Sequence, residues 1–179
     1  MKAVKEIGIN KALKYFFYSL WQYLFSAMFI SPLRIFLLRI SGVRIGHDTV
    51  IERVKFMNLY AEGLLGLTIG NRCFLGDGVV LDMADRISLG NDVTLSAETF
   101  LLTHTNVGYK NHPLQKTIPR MKGKIKIEKG AFIGVRAMIM PSVTVGELSV
   151  VGAYALVNKD VKQHTFVAGI PAKQIKRKL

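Results

Sequence analysis

Four histidines, His47, His104, His112 and His164, are the residues whose type best suits proton transfer near neutral pH. Imidazole gains and loses a proton close to neutrality, so it serves as a general base. His104 stands in Leu101-Leu-Thr-His-Thr, where a regular repeat gives way to a loop. A base at such a lip can receive a substrate and be covered by the loop; an ordinary surface histidine is the other reading. His112 lies inside the loop, in Asn-His-Pro, and either contacts substrate or is solvated. His47 and His164 are expected to be exposed. The sequence holds no Gly-x-Ser-x-Gly turn, no phosphate loop and no His-Glu-x-x-His pair. The single cysteine, Cys73, excludes an intramolecular disulfide and paired-cysteine zinc sites and fits a reducing compartment. A zinc shared by His104, His112 and a neighbouring subunit is conceivable. The repeats supply no further histidine for it, so no metal is expected.

The elements that must position these residues follow a period of six, neither the 2 of a strand nor the 3.6 of a helix. Ile127, Ile133, Ile139, Val145, Val151 and Val157 recur at that interval. Four residues after each comes a small or branched side chain: Ala131, Ala137, Val143, Ser149, Ala155 and Val161. An earlier stretch repeats the pattern with Ile69, Leu75, Leu81, Leu89, Leu95 and Leu101, and the slip before Leu89 implies a coil with two extra residues. Ile45-Gly46 and Ile51 mark a first, imperfect turn. One hexad is a short strand plus a corner, and three make a triangular coil. The fold class is therefore mainly β, a left-handed parallel β-helix. Asn71, Asn91, Asp92 and the glycines are expected at corners that need unusual backbone angles. Cys73 falls on an inward position, as a small core residue.

The boundaries follow from the register. Residues 45–170 form the coil domain, interrupted by a projecting loop at 106–123 that carries Lys110, Lys116, Arg120 and Lys122. A loop of that length in a compact solenoid is usually functional. A basic tail, 171–179, is expected to leave the solenoid. Residues 1–44 precede it, and Tyr15 to Ile30 reads YFFYSLWQYLFSAMFI, aromatic-rich and uncharged. That run is shorter than the roughly 20 residues of a bilayer span. Lysines before it, Arg34 and Arg39 after it and a break at Pro32 suit a helix or helical hairpin in a membrane interface. A helix packed within an oligomer is one alternative, and a tilted span that continues through Leu33–Leu38 is another. No secretory cleavage site follows, so the segment reads as retained and the location as cytoplasmic, peripheral at the inner face of the cytoplasmic membrane.

The 25 Lys and Arg against 12 Asp and Glu leave a net charge of +13. Such a charge favours nucleic acid, a phosphate-bearing cofactor or an anionic membrane. Aromatic and basic residues are not interleaved on the repeats as a single-strand binder requires, so nucleic acid is not expected.

The hexads, the loop after Thr-His-Thr and the tail Val167-Ala-Gly-Ile-Pro-Ala-Lys173 resemble the hexapeptide-repeat acyltransferases. The likeness is to the galactoside and maltose acetyltransferase type and the sugar O-acetyltransferases of surface-polysaccharide biosynthesis. It spans residues 41–177. It implies a homotrimer with active sites between solenoids, acetyl-CoA as co-substrate and a sugar or glycan acceptor, lipid-linked in one version. It implies His104 as general base, and Asp82, one coil earlier, as candidate for orienting that base or binding the acceptor; a plain corner aspartate is the other reading of Asp82. Val135 and Ala153 match positions along the pantetheine arm, and Asn158, Lys159, Lys173 and Lys176 match the nucleotide end. An N-acyl acceptor and a non-catalytic scaffold are the alternatives.

Overall fold

The structure, a computed structural model, describes residues 9–108 and 111–175. Two helices come first, α1 (Ile9–Ala27) and α2 (Ser31–Ile40), and short strands follow. The strands stack into three parallel sheets, the three faces of a β-helix. The first sheet runs from Arg44–Ile45 to Thr144–Val145, the second from Val50–Ile51 to Phe166–Ala168, and the third from Lys55–Met57 to Leu156–Val157. Ile127 pairs with Val145, Ile133 with Val151 and Ile139 with Val157, each one 18-residue coil apart. Their side chains point into the prism and are fully buried, together with Ala131, Ala137 and Ala155. Alternation of a bulky aliphatic with a small residue fills a narrow triangular core without voids. Cys73 is one of these inward residues, and burial pushes its thiol pKa up.

The corners are built differently from expectation in one respect. Asp92 does take a left-handed backbone, at φ 60°. Asn71 and Asn91 do not. Their Oδ1 atoms instead accept the backbone N–H of the adjacent coil, from His47 at 3.1 Å and from Asn71 at 2.9 Å. Some glycines serve close approach. A Cβ on Gly134 would lie 2.6 Å from the backbone nitrogen of Ala153. Gly134→Ala is therefore expected to cost about 1–3 kcal/mol of overpacking, read as a Tm lowered by roughly 3–10 °C. An unchanged melting curve would mean that the coils separate there freely.

The large departures from the 18-residue coil fall at one corner, between the third sheet and the first; elsewhere the step from Ile51 to Phe56 is one residue short. Phe56 to Ile69 takes 13 positions, Leu81 to Leu89 takes 8 and Leu101 to Ile127 takes 26, where Ile139 to Val145 takes 6. The two-residue expansion before Leu89 is thus present. The long insertion is less open than a plain loop. His104–Thr105 pairs antiparallel with Met121–Lys122, and Pro113–Gln115 forms a short 3-10 turn.

The ends of the coil are closed. The tail does not leave at once: Lys173–Ile175 folds back antiparallel onto Phe166–Ala168 and extends the second sheet. At the other end α1 and α2 lie across the first coil. Ser31 Oγ accepts from Ile51 N at 2.8 Å, Gln22 Oε1 accepts from Phe56 N at 3.0 Å, and Arg34 Nη1 donates to Ile51 O at 3.1 Å. Arg39 Nη2 donates to Ile45 O and Gly46 O. These side chains satisfy edge groups that a further coil would otherwise satisfy. The arginines expected to face a membrane are thus engaged by the coil, and Arg34 is buried. The break between the helices lies at residues 28–30, with Pro32 in the first turn of α2, where its missing N–H costs nothing. No helix among the described residues is long and apolar enough to cross a membrane.

Candidate functional site

The expanded corner gathers the polar residues. Asp82 ends the strand Val80–Asp82, directly after inward Leu81, and is fully buried. A carboxylate there needs every oxygen paired. Oδ1 accepts from Asn58 Nδ2 at 2.6 Å and from Ala84 N at 3.3 Å. Oδ2 accepts from Thr103 N at 2.9 Å, from Thr103 Oγ1 at 3.0 Å and from His104 Nδ1 at 2.6 Å. Burial, the largest influence, opposes ionisation. The bond from His104, the bond from Asn58, the charge of His104 and the bond from Thr103 outweigh it, so the carboxyl sits below the ordinary carboxylate range.

An ionised Asp82 requires a proton on His104 Nδ1. That leaves the lone pair on Nε2, which has no partner among the described residues. The ring is about one-fifth exposed, with its side chain 21% accessible. An imidazole held by one nitrogen and open at the other is the arrangement of a general base. The antiparallel ribbon with Met121–Lys122 fixes the backbone on which it sits.

Asn58 and Thr103 were not singled out in the sequence. Thr103 adjoins His104, and Asn58 lies in the first expanded corner, so alignment of the three expansions would have found both. Asn58 also lines a cavity of about 360 Å³ between α1 and the coil, together with Tyr15, Tyr18, Ser19, Gln22 and Tyr60.

The remaining candidates lie elsewhere. Val135 and Ala153 follow successive strands of the second sheet and stack at its corner with the third, away from the His104 corner; Tyr154 N donates to Val135 O. Asn158 is exposed after the last strand of the third sheet. Lys159 borders a cavity of about 200 Å³ at the C-terminal end of the coil, with Ala172 and Gln174 across it. Lys173 is exposed on the closing strand, and Lys176 lies outside the described residues. Within one chain these positions do not converge on His104. His112 Nδ1 accepts from Leu114 N at 3.2 Å and caps the 3-10 turn, while His47 and His164 are exposed corner residues. Among the described residues no group of three or more His, Cys, Asp or Glu is disposed to hold a metal ion.

Comparison with known proteins agrees with the coil. Residues 124–159 match the family described as bacterial transferase hexapeptide (six repeats), and residues 66–102 match the hexapeptide repeat of succinyl-transferase. A chloramphenicol acetyltransferase of Agrobacterium fabrum is 33% identical over 138 residues, covering 77% of this chain and 63% of that protein. A putative colanic acid biosynthesis acetyltransferase, WcaF of Escherichia coli K12, is 29% identical over 147 residues, covering 82% and 75%. Against several curated relatives the chain spans about half of their length, from 43% to 63%. The crystal structure of a galactoside acetyltransferase in complex with coenzyme A superposes with a TM-score of 0.75 at 22% identity, covering 96% of this chain and 84% of that one, which establishes a common fold. The chain is accordingly a left-handed parallel β-helix built on the hexapeptide repeats of bacterial transferases.

Proposed function

We propose that this chain is an acyltransferase that moves the acetyl group of acetyl-CoA to a hydroxyl of a sugar, on a glycan or glycan precursor. The observation that carries the proposal is the 2.6 Å bond between buried Asp82 and His104, whose free Nε2 opens at the expanded corner. In this reading Nε2 takes the acceptor's hydroxyl proton as the oxygen attacks the thioester carbonyl. The tetrahedral intermediate expels the CoA sulfur, which takes the proton back from the imidazolium. Ester and free thiol are the products. Asp82 keeps the proton on Nδ1 and offsets the transient positive charge.

A part of the acceptor away from the reacting hydroxyl would occupy the cavity beside Asn58, whose lining includes neither Asp82 nor His104. The cavity's volume suits a small ligand, and its tyrosine rings and hydroxyls offer the flat faces and donors that sugars use. The coenzyme would run past Val135 and Ala153 toward Asn158, Lys159, Lys173 and Lys176, cations suited to its phosphates. These positions and His104 occupy different corners, which supports a homotrimer whose sites form between neighbouring chains. We place the reaction at the inner face of the cytoplasmic membrane, on a lipid-linked acceptor.

Binding and turnover test this directly. Saturating acetyl-CoA is expected to raise Tm by ~5–10 °C, the effect of ligand at about 100 times its Kd. Thiol release should then depend on an added sugar. Stabilisation without release from any sugar, but with release from amino sugars, would move the reading to N-acyl transfer. No stabilisation at all would leave a scaffold.

A further inference from the structure

The coil end held by α1 and α2 has an outer side that the acyl-transfer chemistry does not use. On α1, Ile9, Leu13, Phe16, Leu20 and Tyr23 recur at spacings of 4, 3, 4 and 3 and are all more than half exposed. The opposite side of the same helix is buried: Trp21 and Phe25 stack at 5.2 Å, and both meet Phe56 of the first coil edge-on. On α2, Phe36 and Ile40 are exposed at 63% and 65% with Phe29 just before the helix at 81%, while Arg34 and Leu38 face inward. Both helices thus spend one apolar face on the core and show a second one outward. A globular protein seldom leaves so much contiguous aromatic and aliphatic surface uncovered without a partner for it.

The charge pattern selects the partner. Between residues 7 and 47 the sequence has no acidic residue; of its basic ones Arg34 is buried against the coil, and Lys14, Arg39 and Arg44 are exposed. The whole chain carries +13. A second copy brought face to face would add like charge to like charge. An anionic lipid surface would not. The α1 helix is also too polar to cross a membrane, so it lies along the interface rather than through it.

We propose that the outward faces of α1 and α2 form one lipid-seating platform for an anionic membrane surface, holding the coil by its N-terminal end. This deepens the membrane location proposed above and rests on that reading only for the acceptor. The side chains that fasten the helices to the coil, Gln22, Ser31 and Arg34, make the platform a rigid part of the domain. The cavity with Asn58 lies at the back of α1, so a sugar carried on a lipid would meet the site from the surface on which the coil stands.

The test is sedimentation of the full chain with vesicles. The native chain is expected to bind vesicles of equal parts phosphatidylcholine and phosphatidylglycerol, more weakly at high salt, and phosphatidylcholine alone poorly. A Leu20→Asp/Phe36→Asp chain should lose ~10-fold or more of that binding. A second variant, Phe16→Asp/Ile40→Asp, repeats the test elsewhere on the face, and only a variant that melts like the native chain is scored. His104→Ala should bind as the native chain does, which separates this proposal from the catalytic one. Equal binding to both vesicle types would overturn it, as would undiminished binding by both folded variants. Self-association that the same substitutions abolish, with no vesicle binding, would assign the face to a second copy and overturn it too.

Discussion

A His104→Ala chain is expected to transfer acyl groups ~10²-fold more slowly or worse, and to melt close to the native temperature. The two outcomes come from different sides of the same ring. Nε2 faces the expanded corner without a partner among the described residues, while Nδ1 is held by Asp82. Asp82 is buried behind the ring and engaged by Thr103, Asn58 and Ala84, so it does not take over the role. Stability is spared because the ring is partly exposed and Asp82 keeps other donors. Without His104, Oδ2 still accepts from Thr103 N and Thr103 Oγ1, and Oδ1 from Asn58 and Ala84. Thiol release under saturating acetyl-CoA, measured beside a melting curve, reads both. Turnover near the native rate would remove His104 from the chemistry, whatever the acceptor.

Replacing Asp82 by asparagine should damage both properties. Each oxygen of Asp82 faces a backbone N–H that cannot turn away, Ala84 N at one and Thr103 N at the other. Whichever way the amide is set, its NH₂ opposes one of these donors. An unpaired donor in a buried site costs about 1–3 kcal/mol, which predicts a Tm lower by several degrees. If the NH₂ occupies the place of Oδ2, it donates to His104 Nδ1 and drives the ring proton to Nε2. The base is then blocked at the atom that must accept, and turnover is expected to fall by roughly 10²–10⁴-fold, the range seen when a catalytic histidine loses its carboxylate. The pH dependence carries a second signature. The folded carboxyl ionises below the ordinary carboxylate range, so its stabilisation is complete above that range and drains away as pH falls through the lowered value. Melting curves on the acid side should show this loss in the native chain and a flatter response in Asp82→Asn. Equal acid sensitivity in both would mean that other carboxylates dominate.

The coil was legible because its physics is repetitive. A triangular prism admits only aliphatic and small inward residues, and Ile127 through Val157 repeat the demand without exception. The slip before Leu89 was legible for the same reason, since a fixed register exposes any added residue. His104 stood out by type and by its place at the end of that register. Asp82 was reachable only as an alternative, because a buried aspartate and a corner aspartate look alike until its partners are known. Asn58 was hidden by the poor periodicity of the first coil, where the third face is entered at Phe56, five rather than six residues after Ile51. Arg34 and Arg39 were misread for a related reason. Beside an apolar helix they look like interfacial cations, and nothing local reveals that two edge strands lack hydrogen-bond partners and will take them.

Those edge strands carry a consequence for the chain in solution. A stack of parallel strands presents the same unsatisfied ladder at each end and is a template on which more coils, from any copy, could grow. Here one end is sealed by side chains from two helices and the other by a strand running the opposite way. Neither closure repeats the hexad, so neither can be copied onto a neighbour. A protein that is nearly all exposed β-ladder in principle is thereby kept from fibre growth by some thirty residues at its N-terminal end and a single reversed strand at the other.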